Sequence, residues 1–120
     1  MILLTFTAAT LALATATAFA VPEAGAKPRP ARCVVTAAGA SAWRGPCRFD
    51  ARAGGSFTVT PLRGRFAEGT TSITLDIVRP GAAEVRGMTA LGINSRWGPA
   101  RRSPRDRACW IGADFSLCVY

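Results

Sequence analysis

The sequence predicts a small, mostly β domain, a compact antiparallel sheet or partly open barrel of about five or six strands stapled by disulfides. Three observations predict it. Short apolar runs alternate with period two and are rich in β-branched residues, turn residues recur at short intervals, and four cysteines stand in a chain of 120 residues that has no histidine. No window of about twelve residues keeps a 3.6-residue period, so helix content should be low.

The first segment does not belong to that domain. Residues 1–20 comprise fifteen apolar residues and five threonines, whereas all 22 charged side chains lie from Glu23 onward. The run ends in Ala18-Phe19-Ala20 before Val21-Pro22, small residues at the positions a signal peptidase reads. It reads as a secretory signal peptide, with Ala24-Gly25-Ala26 offering an alternative cleavage after Ala26. The n-region lacks the usual Lys or Arg, which points to a start upstream of Met1. The alternative is an uncleaved membrane helix, since about 19 uncharged residues just span a bilayer. No cysteine sits at a cleavage position, which argues against a lipid anchor.

Residues 21–31, VPEAGAKPRPA, carry three prolines and no periodicity and read as a linker, so the single domain is expected over 32–120. Arg32–Ala37 is a candidate strand, turning through Ala38–Ser41 toward Trp43 and Cys47-Arg48-Phe49. After a turn at Ala53-Gly54-Gly55, Ser56–Leu62 alternates Phe57, Val59 and Pro61 against Thr58 and Thr60. Thr71–Arg79 is the clearest strand, with Ile73, Leu75 and Ile77 toward the core and Thr74 and Asp76 toward water. Pro80-Gly81 turns the chain into Ala83–Leu91, a weaker strand interrupted by Gly87.

The last element is a hairpin in ACWIGADFSLCVY, residues 108–120. If Cys109 faces Cys118, Gly112 faces Phe115 and Ala113-Asp114 becomes a two-residue loop, a length hairpins favour. Cys33 and Cys47 likewise bracket a turn near Ala40, so the expected pairs are Cys33 with Cys47 and Cys109 with Cys118. A four-cysteine zinc site needs closer spacing than these, and no C-x-x-C redox motif is present. Trp43 and Trp110 stand beside the cysteines, where an indole can cover a disulfide and fill a thin core.

The segments GPCRF (45–49), GGSFTV (54–59) and ACWIGADFSLC (108–118) resemble those of a recurring group of small exported proteobacterial proteins. That group has a Gly-Pro-Cys turn, a Gly-Ser-Phe strand start and a Cys-Trp hairpin near the C-terminus. The resemblance covers about half of the chain beyond the leader, and residues 92–107 match it poorly. It implies export and a cysteine framework, and brings no active-site residues.

The sharpest anomaly is SRWGPARRSPRDR, residues 95–107, read as a loop because two prolines and a glycine interrupt it. It carries five arginines against one acid, Asp106. Arg96, Trp97, Arg101, Arg102 and Arg105 are the candidate anion-binding set, forked donors beside an indole free to stack on a sugar, lipid or base. The competing reading is compositional: arginine outnumbers lysine fourteen to one in a chain also rich in Ala, Gly and Pro, as a GC-rich genome would encode.

Catalysis is disfavoured. Without histidine, the Ser-His and Cys-His nucleophile systems are excluded. Asp76 and Glu84 could lie on neighbouring strands like a glycosidase pair, but read more simply as solvent-facing or arginine-paired carboxylates. No cofactor or metal is expected.

A net charge of +8 favours polyanionic partners. The expected protein is therefore cationic, periplasmic or secreted, and non-catalytic, binding lipopolysaccharide, anionic lipid or an acidic glycan. Export and the lack of any nucleic-acid signature argue against nucleic acid. The alternatives are a proteinaceous inhibitor of a secreted or host hydrolase, and a membrane-disrupting toxin.

Overall fold

The computed structural model describes residues 2–5, 7–17 and 27–120. Both expected cleavage sites lie outside the described residues. Residues 2–5 and 7–17 carry no helix or strand, and no helix among the described residues is long and apolar enough to cross a membrane.

Eight strands form the domain: β1 (Arg29–Ala37), β2 (Trp43–Ala51), β3 (Phe57–Pro61), β4 (Thr70–Arg79), β5 (Ala82–Thr89), β6 (Asn94–Arg102), β7 (Cys109–Gly112) and β8 (Phe115–Val119). Each pairs antiparallel with the next, and β1 pairs with β8, so the sheet closes into a barrel. The sheet is therefore neither open nor five- or six-stranded. Closure is carried by Val35 opposite Leu117, both fully buried, and by Arg32 and Tyr120, which exchange backbone hydrogen bonds of 3.0 and 2.8 Å. A barrel of this strand number has an interior that side chains can fill. Here Val35, Val59, Ile73, Leu75, Val85 and Leu117 fill it, with Phe57, Phe66, Phe115 and Trp110 around them.

The period-two reading holds along β3 and β4. Phe57, Val59, Ile73 and Leu75 point inward, while Thr58 and Thr74 face each other outside and share a 3.1 Å hydroxyl bond. Two boundaries differ. The first strand begins at Arg29 rather than Arg32, because the inward alternation of Cys33 and Val35 extends back through Ala31 in register with β2. The stretch read as a loop over 95–107 is strand up to Arg102, and only 103–108 is a connection.

A β-bulge carries the strand through this stretch. Val85 pairs with Gly98 and Arg86 with Arg96, leaving Trp97 as the extra residue. Gly98 takes φ +115°, a conformation that glycine tolerates readily. The bulge reverses the inside–outside order, so that Trp97 and Ala100 both turn inward. Gly87, which looked like an interruption of its strand, lies beneath that indole: a Cβ there would stand 2.7 Å from Trp97 Nε1.

Both cystines form as the spacing predicts, Cys33 with Cys47 and Cys109 with Cys118. Such bridges fit an oxidising, extracytoplasmic compartment. They sit differently in the wall. Cys33 and Cys47 are fully buried, diagonal neighbours on β1 and β2. Cys109 and Cys118 are directly opposed across the closing hairpin, and strand alternation puts them on the outer face, where they are still only 7 and 8 % exposed, with the Tyr120 hydroxyl 3.6 Å from the Cys109 sulfur. Trp110 therefore faces inward, 3 % exposed, and fills the core without covering that bridge. Trp43 packs edge-on against Phe66 at 4.8 Å.

Candidate functional site, the arginine cleft at one barrel end

In an up-and-down barrel, alternate connections gather at each end. One end collects the β2–β3 connection (52–56), the β4–β5 turn (80–81), the β6–β7 connection (103–108), the start of β1 and the end of β8. Two adjoining clefts open there, of about 470 and 180 Å³, sharing Gly55, Arg102, Arg107 and Trp110. The larger falls in the size range of small-molecule sites.

Three guanidinium groups line these clefts: Arg29, Arg102 and Arg107. Arg102 lies opposite Trp110 in register and 4.9 Å above its ring, and Arg29 lies opposite Phe49 and 4.4 Å from its ring centroid. Stacking on an aromatic face holds the planar fork while leaving its N–H edges free. Among the described residues no carboxylate lines either cleft, and none of the three arginines has a carboxylate within 4.0 Å. Gly54 and Gly55, at φ 73° and 84°, form part of the wall with bare backbone.

The connection carrying Arg107 is organised from within. Ser103 Oγ accepts from the N–H groups of Arg105 and Asp106 at 3.2 and 3.3 Å, and Asp106 Oδ1 accepts from the Ala108 N–H at 3.0 Å. Asp106 Oδ2 accepts from the Tyr120 hydroxyl at 2.6 Å, which ties this connection to the chain end. That bond, with some burial, raises the Tyr120 pKa above its ordinary value of about 10. The one acid of the Arg-rich stretch thus holds the loop in shape and pairs with none of its arginines.

The structure disperses the five candidate residues. Arg102 stands in the cleft and Arg105 is exposed on the adjoining connection. Arg96 is on the outer wall, where its Nε donates to Glu84 at 2.8 Å and its Nη2 closes the ion pair. Arg101 is exposed on the wall between Ala82 and Ile111. Trp97 is not the free contact expected of a loop residue: its indole packs inward, 5.5 Å from Phe115, and reaches a separate cleft of about 230 Å³ at the other end.

No protein family, curated protein or solved structure matches this chain. Arg29 and Arg107 were missed as site residues. Arg107 was visible inside the Arg-rich stretch, and the signal for Arg29 was its place two residues before Ala31 in the inward alternation of β1.

Asp76 and Glu84 do lie opposite each other on β4 and β5. Arg52 and Arg86 donate to the two oxygens of Asp76 at 3.0 and 2.9 Å, and Arg96 holds Glu84, so each carboxylate is engaged. Among the described residues there is no group of three or more His, Cys, Asp or Glu placed to hold a metal ion.

Proposed function

We propose that this is an exported, non-catalytic protein that binds an anionic envelope surface or polymer, and that the anionic group is held in the cleft of Arg29, Arg102 and Arg107. One observation supports the reading above others: three guanidinium groups converge on adjoining clefts that no carboxylate among the described residues lines, two of them stacked on aromatic rings. Such forks suit the paired oxygens of a phosphate, sulfate or carboxylate, and the rings offer a face for a sugar. The polar side chain beside them, Ser103, spends its oxygen on the loop backbone, which favours binding over reaction. Lipopolysaccharide and acidic glycans carry the matching chemistry, in the periplasm or outside the cell.

The test is binding of lipopolysaccharide and of an acidic glycan at low salt, with Arg102→Ala and Arg107→Ala combined. A loss of roughly tenfold or more is expected, since hydrogen bonds to charged groups are worth about 1.5–3 kcal/mol each, together with weakening as salt rises. No affinity at low salt, or affinity unchanged in the double variant, overturns the reading.

A second reading rests on the pinned β6–β7 connection. A rigid cationic loop braced by Asp106 and Tyr120 suits a proteinaceous inhibitor that enters the acidic cleft of a hydrolase. A stoichiometric complex with a secreted hydrolase that survives moderate salt would select it.

A further inference from the structure

The opposite end of the barrel presents a different chemistry. The β5–β6 connection, residues 90–93, holds Leu91 at 87 % exposure and Ile93 at 56 %. Tight connections normally take small or polar residues. This one is not loose: the Gly92 N–H donates to the Thr89 carbonyl at 3.0 Å, the Thr89 N–H to the Ile93 carbonyl at 2.9 Å, and the Ile93 N–H to Thr89 Oγ1 at 3.2 Å. Backbone bonds thus hold two aliphatic side chains out in water.

The pairing of Thr70 with Thr89 sets the β3–β4 connection (62–69) beside this turn. It begins with Leu62, 55 % exposed, and continues through exposed Arg63, Gly64 and Arg65. Buried Phe66 anchors the run under Trp43, its N–H donating to the Thr70 carbonyl at 2.8 Å. Among the described residues neither Arg63 nor Arg65 has a carboxylate within 4.0 Å. The acids of this rim, Glu68 and Asp114, line the cleft beside Trp97 instead.

We propose that this rim docks on an anionic lipid bilayer, with Leu62, Leu91 and Ile93 entering the headgroup boundary and Arg63 and Arg65 meeting lipid phosphates. The aliphatic groups are exposed on two connections and line none of the clefts described above, which suits a soft interface better than a protein partner. The two cations match the sign of an anionic leaflet, each worth roughly a fivefold gain in binding. The proposal is independent of the arginine cleft, which it places away from the membrane.

The experiment is cosedimentation of the purified protein with phosphatidylglycerol vesicles and with phosphatidylcholine vesicles. Every variant keeps the same N-terminal segment, so any contribution of residues 1–20 cancels in the comparison. Binding to phosphatidylglycerol is expected, at least tenfold weaker in Leu91→Ser combined with Ile93→Ser, and weakened also in Leu62→Ser, a site on the other connection that answers independently. Arg63→Ala with Arg65→Ala should remove the preference for the anionic vesicles. Arg102→Ala with Arg107→Ala should leave vesicle binding intact while weakening glycan binding roughly tenfold or more. The proposal fails if the wild type does not bind phosphatidylglycerol at low salt, if both leucine-site variants bind as the wild type does, or if only the cleft variant loses the vesicles.

Discussion

The outer wall and the clefted end use the same side chain to opposite effect. On the wall, Asp76 and Glu84 face each other across β4 and β5, an unfavourable like-charge pair that Arg52, Arg86 and Arg96 neutralise. At the end, Arg29 and Arg102 lie over aromatic rings and Arg107 beside them, with no acid among the cleft-lining residues. Exposure does not separate the two groups, because wall arginines such as Arg96 are well exposed too, at 69 %. Charge balance separates them. A chain this rich in arginine spends some of it internally, and the positive charge available to a ligand is what the carboxylates leave unmatched.

Three experiments press on that contrast. The largest effect is expected beneath the cleft loop, where Cys109→Ala with Cys118→Ala should lower the unfolding free energy by about 3 kcal/mol in urea titration. The bridge joins the closing strands from which the β6–β7 connection hangs, so the surviving folded protein should also bind anions less well. Unchanged affinity would show that the cleft is built without the staple.

A smaller effect should follow from the Tyr120 latch. Its hydroxyl is favoured in the protonated form by Asp106, so its folded pKa lies above the unfolded value of about 10. A raised folded pKa gives a contribution fully present below the unfolded value and lost as pH rises through the folded one. Glycan affinity should therefore fall above about pH 10 in the wild type more steeply than in Tyr120→Phe, which starts lower and lacks this step. Superimposable pH profiles would remove the latch from the account.

The smallest effect belongs to the wall. Arg86→Ala or Arg96→Ala should change stability by less than about 1 kcal/mol, as exposed ion pairs do, and leave glycan affinity unaltered. A wall variant that binds as poorly as the double cleft variant would erase the distinction between the two regions.

Much of the barrel was legible in local pattern. Phe57-x-Val59 and Ile73-x-Leu75 alternate because a pleated strand with one buried face requires it, and the cysteine spacings give both bridges because each pair belongs to neighbouring antiparallel segments. The two-residue hairpin at Ala113-Asp114 follows from the same register. The β6 strand was not legible, because Gly98 and Pro99 carry the local signature of a loop. Pairing with β5 and β7 on its two sides, and the inward burial of Trp97 at the bulge, override that preference.

The candidate site divides in the same way. Residue order alone determined an arginine-rich segment ending two residues before a bridged hairpin, and hence a cationic loop held by a staple. Only the tertiary structure decided which arginines share a cleft. Arg29 and Arg107 stand 78 positions apart in the chain (107 minus 29), and they line one cleft because β1 closes on β8, to which the hairpin after Arg107 is bridged. Alternation and turn chemistry act over a few residues, whereas barrel closure is a long-range pairing that no local window contains.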